Sequence, residues 1–282
     1  HKGQNGEGKG KIFVSGPQKA VLLDSSQGLI RIGERLNVRG SKKVRDAVEN
    51  SKPIDFATLE AVAGEQVNEL GLEIIDVCMD SNVVNTQETL VSVIKEITTD
   101  FNGVMCIDSF SPQNFKSALE AYPGRAIINS ISLETLDAVV PQLKPHDPVY
   151  ICLCVDRHGP AQTSADKVKI AKEIVKRCAS YGVAANHLII DVNAFPIGSE
   201  PNDKINFALE SLNAIKRIKT IDPTIKVSIG VGNLTNGLSK KSYMRKVITS
   251  VFLDLARTEG LDAAIINPEH FVPIVSLEPE HV

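Results

Sequence analysis

The 282-residue sequence is poor in cysteine and has nothing that pairs it. Its five cysteines (Cys78, Cys106, Cys152, Cys154 and Cys178) are odd in number and scattered, with no C-x-x-C pair. A disulfide framework is therefore not expected, and a reduced, cytoplasmic chain is. No run of about 18 apolar residues occurs, so no transmembrane helix and no membrane partner are expected. A basic surplus is missing as well: Lys plus Arg is 31 against 34 for Asp plus Glu, a formal charge of −3. That sets aside nucleic-acid binding as the main task. The opening stretch, His1–Lys11, is rich in Gly and Lys and has neither an initiator Met nor the apolar stretch of a secretory leader. Two phosphate-loop fingerprints are also absent: no G-x-G-x-x-G follows a strand pattern, and there is no G-x-x-x-x-G-K-[ST].

What is present is a chain 43% apolar and 23% charged, long enough to bury a sizeable core without disulfides or a structural metal. Eight short runs rich in Ile and Val recur: 29–32, 74–77, 104–107, 126–128, 149–155, 188–190, 227–231 and 263–266. They mostly lack polar alternation, as strands buried on both faces do. Between them lie segments with helical spacing. One aligns Val168, Ala171, Ile174, Val175 and Cys178, a second Ile205, Ala208, Leu209, Leu212 and Ile215, a third Met244, Val247, Ile248, Val251 and Leu255. Repeated strand–helix alternation calls for a parallel sheet, and its count and length favour a (β/α)8 TIM barrel over an open doubly wound sheet. We read residues 1–28 as a flexible N-terminal linker or extension and 29–282 as the barrel. Little chain follows the last strand, so the eighth helix is expected to be incomplete. With the Gly/Lys-rich start, this leans toward a domain cut from a longer protein.

In a barrel the site gathers at the C-terminal ends of the strands. The residues closing the runs are Glu34 and Asn37, Asp76, Asp108, Asn129, Asp156, Asp191 with Asn193, Asn233 and Asn267. Taken singly, Asp and Asn serve the turns after strands and cap the helices that follow. A whole ring of them is harder to explain so, because carboxylates aimed at one mouth repel each other and lose solvation. A ligand rich in N–H donors accounts for the ring. Histidine is scarce at the strand ends and no His-x-His occurs, so a zinc or di-metal hydrolase and a bound metal are not expected. The Gly230–Asn233 stretch with Lys240 and Lys241 leaves a phosphate site open. Carboxylates and carboxamides suit a flat heterocycle with a guanidine-type edge, which offers two parallel donors to one carboxylate. A pterin has such an edge.

These residues carry a likeness. The stretch from Gly33 to Lys43 (GERLNVRGSKK) resembles the G-E-R-x-N-x-x-G-S-x-K opening of the methyltetrahydrofolate-binding domain of cobalamin-dependent methionine synthase, within the pterin-binding family. Asp76 to Asp80 (DVCMD) is similar to its D-x-N-x-D, with Cys78 in place of Asn. Ile107-Asp108-Ser109, Ile128 to Ser132, Ile190 to Asn193 and Gly230 to Thr235 are similar to its I-D-S, V-N-S-I-S, F-D-P-N and G-V-S-N-V-S. Gly260 to Ile265 resembles a G-L-D-A-A-I stretch of the related methyltetrahydrofolate:corrinoid methyltransferases. The resemblance runs from about residue 29 to 275. It implies a methyltransferase of one-carbon metabolism and methionine biosynthesis that moves the N5 methyl of 5-methyltetrahydrofolate to cob(I)alamin. The base-off corrinoid signature D-x-H-x-x-G is absent, so the cobalamin is expected on a partner domain or protein. The resemblance further implies Asn233 and Asp76 as catalytic, and Glu34, Asn37, Asp108, Asn129, Asp191, Asn193, Asn233 and Lys241 as pterin- or folate-binding. It leaves open a homodimer or a piece of a larger chain, both of which occur among relatives. The alternatives are dihydropteroate synthase, disfavoured because Gly232-Asn233-Leu234 and Asn267-Pro268-Glu269 stand where its basic motifs belong, and a folate-binding module without chemistry.

Overall fold

The computed structural model describes residues 10–238 and 242–277. A hairpin of β1 (Phe13–Ser15) and β2 (Ala20–Leu22) opens it. Then come β3 (Ile30–Asn37), α1 (Lys42–Glu49), α2 (Phe56–Gly64), β4 (Ile74–Cys78), α3 (Thr86–Ile97), β5 (Val104–Asp108), α4 (Pro112–Ala121), β6 (Ile127–Ile131), α5 (Leu136–Leu143) and β7 (Val149–Leu153). A short pair, β8 (Val155–Asp156) and β9 (Gly159–Pro160), precedes α6 (Ser164–Ser180), β10 (Leu188–Asp191), α7 (Phe207–Ile218), β11 (Lys226–Gly230), α8 (Ser242–Thr258) and β12 (Ala263–Ile266). Strands β3, β4, β5, β6, β7, β10, β11 and β12 close on themselves in that order, all parallel, as the expected (β/α)8 barrel. Among the described residues only two 3-10 turns, Pro268–His270 and Ile274–Ser276, follow β12.

Side chains alternate across each strand, and the alternation sorts them into two cores. Outward residues such as Ile75, Val77, Met105, Ile107, Ile128, Ile190 and Ile229 pack under the helices. Inward residues Ile32, Ile74, Val104, Cys106, Ile127, Val149, Ile151 and Ile189 fill the barrel. The inner core is closed from below by Ile12, Val14, Val21 and Leu23. Residues 10–28, expected to be a flexible linker or extension, thus contain an ordered plug. Its short strands carry too few residues for a periodic signal, which is why the sequence does not announce it.

Two helix faces also differ from their sequence expectation. On α7 the buried positions are Phe207, Ser211, Ala214, Ile215 and Ile218, while Leu209 is 53% exposed. On α8 Thr249, Ser250, Phe252, Leu253 and Ala256 are buried, while Met244 and Leu255 are 45% and 50% exposed. In both cases the buried stripe includes hydroxyl or alanine positions, and a count of large apolar residues places it a fraction of a turn away.

Candidate functional site

On five of the eight barrel strands the inner core turns polar two residues further along, at the C-terminal mouth. Ile32 is followed at that spacing by Glu34, Ile74 by Asp76, Cys106 by Asp108, Ile127 by Asn129 and Ile189 by Asp191. The strand register puts Asp76 beside Cys106, Cys78 beside Asp108, Asp108 beside Asn129 and Asp191 beside Ser228.

Glu34 reaches the mouth through a bulge. Between Gly33 and Leu36 the β3 ladder gains one residue against β4. The Arg35 amide freed there donates to Gln66 Oε1 at 3.1 Å, and Gln66 is fully buried in the π-helical turn Glu65–Glu69. Gly33 allows this approach, since a Cβ on it would stand 2.5 Å from Gln66 Oε1. Outside the bulge, Arg35 pairs with Glu65 at 2.8 Å and Glu269 at 3.4 Å.

The carboxyls of the mouth hold protons more tightly than ordinary ones. Burial and the nearby Asp76 carboxylate raise Glu34 to about 7. Asp76 is buried and raised to about 6 by desolvation, against hydrogen bonds from Asn129 (Nδ2 to Oδ1, 3.0 Å), Cys106 and Asp108. Asp108 is pushed well above the usual carboxyl range by burial and by the charges of Asp76 and Asp80. Asp191 is raised to about 6 by burial; Asn193 N donates to its Oδ1 at 2.9 Å and Ser228 Oγ to its Oδ2 at 3.0 Å. Cys78 is buried at the same level. Desolvation and the charge of Asp108 raise its thiol, so it stands there as a neutral weak donor.

The other strand-end residues build turns. Asn37 Oδ1 accepts from the Arg39 and Gly40 amides, at 2.8 and 3.0 Å, ahead of the Ser41 cap of α1. Asp156 Oδ1 accepts from His158 N, and Asn267 Oδ1 from Glu269 N. Asn193 adopts φ 52°, a left-handed conformation, and its Nδ2 donates to the Cys154 carbonyl at 2.8 Å. Asn233 is exposed in the 3-10 turn Val231–Thr235, with Asn236 Nδ2 donating to its Oδ1 at 3.2 Å. Its neighbour Gly232 lies against Glu34, whose Oε1 is 3.3 Å from where a Cβ would be. Lys241, with Lys240, lies outside the described residues.

Sequence reasoning passed over several polar groups near this layer. Asp80 is buried and accepts from Ser109 Oγ at 2.7 Å and Phe110 N at 2.6 Å, fixing the turn after Asp108. Ser228 and Lys167 back Asp191 from β11 and α6. Lys167 carries a signal: it falls in the apolar stripe of α6, four residues before Ala171 and seven before Ile174. Among the described residues no group of three or more His, Cys, Asp or Glu side chains is arranged for a metal, and no helix is long and apolar enough to cross a membrane.

The arrangement is a ring of acidic and amide groups above an apolar floor, able to accept from, and where protonated donate to, a flat polar ring. Methionine synthase from Mycobacterium leprae (strain TN) is 26% identical over 275 residues, which cover 95% of this chain and 22% of that protein. Methionine synthase from Mycobacterium tuberculosis (strain ATCC 25618 / H37Rv) is also 26% identical, over 95% of this chain and 23% of that protein. The chain therefore spans less than a quarter of the length of these relatives. Among solved structures, the fold matches 7,8-dihydropteroate synthase from Vibrio fischeri ES114 with TM-score 0.62 at 14% identity, covering 92% of this chain and 93% of that one. It matches Xanthomonas albilineans dihydropteroate synthase with 4-aminobenzoic acid with TM-score 0.66 at 16% identity, over 91% and 93%. The family described as pterin binding enzyme matches residues 33–267, from the bulge of β3 to the end of β12, and this chain belongs to it.

Proposed function

We propose that this chain binds 5-methyltetrahydrofolate and transfers its N5 methyl group to the cob(I)alamin of a corrinoid-binding partner domain or protein. The observation that carries this reading is the inward layer of Glu34, Asp76, Asp108, Asn129 and Asp191, in a chain whose 26%-identical relatives are methionine synthases.

Asp191, with a donor fixed behind each oxygen, presents a carboxylate to the guanidine-type edge of the pterin. Asn129 and the proton-holding Asp108 match the adjoining ring nitrogen and lactam, because each can donate as well as accept. Asn193 shapes the turn behind Asp191, and Asn37 the loop on the folate side.

The chemical difficulty is the leaving group. A neutral tertiary amine expels an amide-like anion very poorly, so N5 must gain a proton or a strong hydrogen bond by the transition state. Asn233 meets this need by turning: its oxygen accepts from a protonated N5, its NH2 donates to a neutral one. Glu34, raised to about 7, holds a proton for part of the time near neutral pH and relays it through water past the Asp76 carboxylate. The C–N5 bond breaks with its electron pair going to the protonated nitrogen. Cob(I)alamin supplies the nucleophile. Lys241 is assigned to the folate tail.

The test is anaerobic mixing of the chain with 5-methyltetrahydrofolate and cob(I)alamin, following the corrinoid spectrum. The cob(I)alamin signal should disappear with the chain present, and about 30- to 1,000-fold more slowly with Asn233→Ala, the equivalent of about 2–4 kcal/mol in the barrier. Folate binding without transfer would mean a binding module. Product from a dihydropterin diphosphate and 4-aminobenzoic acid would mean a dihydropteroate synthase.

A further inference from the structure

Lys167 on α6 is a lysine with no exposed surface. Its ammonium donates to the Asn193 carbonyl and to Ser211 Oγ on α7, both at 3.1 Å, and stands 5.5 Å from the centre of the Phe195 ring. The titratable groups facing it are Cys154 after β7, Asp191 on β10 and Glu210 on α7. Burial keeps Cys154 a neutral thiol, and a Glu210 carboxylate oxygen accepts from the Ser164 amide at the start of α6. Asp191 and Glu210 are the carboxylates that face the ammonium, and Asp191 is the one buried at the mouth. Burial lowers Lys167 to about 8, so it is charged at neutral pH. The link is also mechanical: the residue whose carbonyl Lys167 grips, Asn193, donates its own N–H to Asp191 Oδ1 at 2.9 Å. A buried ammonium that spends its hydrogen bonds on the turn behind a mouth carboxylate does not serve packing, which a methionine would serve at lower desolvation cost.

We propose that Lys167 is a positioning residue for Asp191, fixing the Asp191–Asn193 turn and supplying the positive charge that keeps the carboxylate ionised for the guanidine-type edge of its ligand. The ligand rests on the folate reading above; the coupling of Lys167 to Asp191 does not.

The experiment has two arms on the full chain. Affinity for 5-methyltetrahydrofolate is measured by calorimetry from pH 5 to 8 for wild type and Lys167→Met, and the Asp191 carboxyl is followed by carbon-13 NMR over the same range. The acid limb of binding and the Asp191 titration should both move to higher pH in Lys167→Met, by up to about one unit. The loss of affinity should then be largest at pH 5 and shrink toward pH 8. A loss equal at every pH, with an unmoved Asp191 titration, would mean that Lys167 only packs and would overturn the proposal. If Lys167→Met does not fold, Ser211→Ala, which removes one acceptor of the ammonium, should show a smaller shift in the same direction. Wild-type Asp191 found protonated at pH 7 also overturns the proposal. Failure of wild type to bind folate at any pH sinks the folate reading, while the NMR arm still decides Lys167.

Discussion

Asp191 and Asn37 were equivalent in the sequence, each a polar residue closing an apolar run, and the structure gives them different work. Asp191 lies two residues past Ile189 on the inward face of β10, and Asn37 spends its side-chain oxygen on two backbone amides. Under the proposed function Asp191→Asn should weaken 5-methyltetrahydrofolate binding by about 10- to 100-fold, the size of a hydrogen bond to a charged group, as calorimetry would read it. The mouth also sets a pH dependence of stability. Glu34, Asp76 and Asp191 are all raised, to about 7, 6 and 6, so between about pH 4 and 7 the folded chain binds more protons than the unfolded one. Stability must then fall as pH rises through that window. Exposed carboxylates such as Asp46 and Asp137, held low by Lys42 and Arg177, act below it, and His270, lowered by burial, opposes with one group against four, since Asp108 is raised as well. The melting temperature of the ligand-free chain should be higher at pH 5.5 than at 7.5 in scanning calorimetry, with the difference reduced in Glu34→Gln. The opposite order would refute this electrostatic picture. The residues of the ring were legible because polar side chains closing apolar runs are conspicuous. Their division into inward groups and turn-builders was not, because it depends on strand parity and on the β3 bulge, which shifts the phase by one residue.

The bulge is also where an element depends on a single distant side chain. Gln66 supplies the acceptor for an amide that the β3 ladder leaves unpaired. Gln66→Ala should cost about 1–3 kcal/mol in denaturant unfolding, the penalty of a buried donor without a partner. The two faces of α8 give a contrasting pair. Phe252→Ala removes a buried ring and should cost about 3–5 kcal/mol, whereas Leu255→Ala should stay within about 0.5 kcal/mol. The sequence named Leu255 and not Phe252 as core. Helical spacing located the helix correctly, but several offsets of the stripe fit the apolar residues of α8 about equally well. Packing under the barrel chose the one that also buries Thr249 and Ser250.

For the molecule as a whole, the eight strand runs and their alternation with helices were readable in the sequence, because strands buried on both faces need unbroken apolar stretches. The lower closure was not. It rests on three-residue strands and on glycines: a Cβ on Gly16 would stand 1.9 Å from the Gly103 carbonyl oxygen, and one on Gly124 2.1 Å from that of Ser15. Ile12→Ala should therefore destabilise the whole barrel by about 2–5 kcal/mol in denaturant unfolding, while leaving ligand affinity unchanged below the transition. The plug has a further consequence for traffic. With the base covered among the described residues, the ring at the strand ends is the side left for ligands, and under the proposed function two reactants of very different size share it. The small one lies deep and the large one comes to rest over the opening. The folate must then enter first and leave last, and the steady-state kinetics should be those of a queue, with a compulsory order of addition.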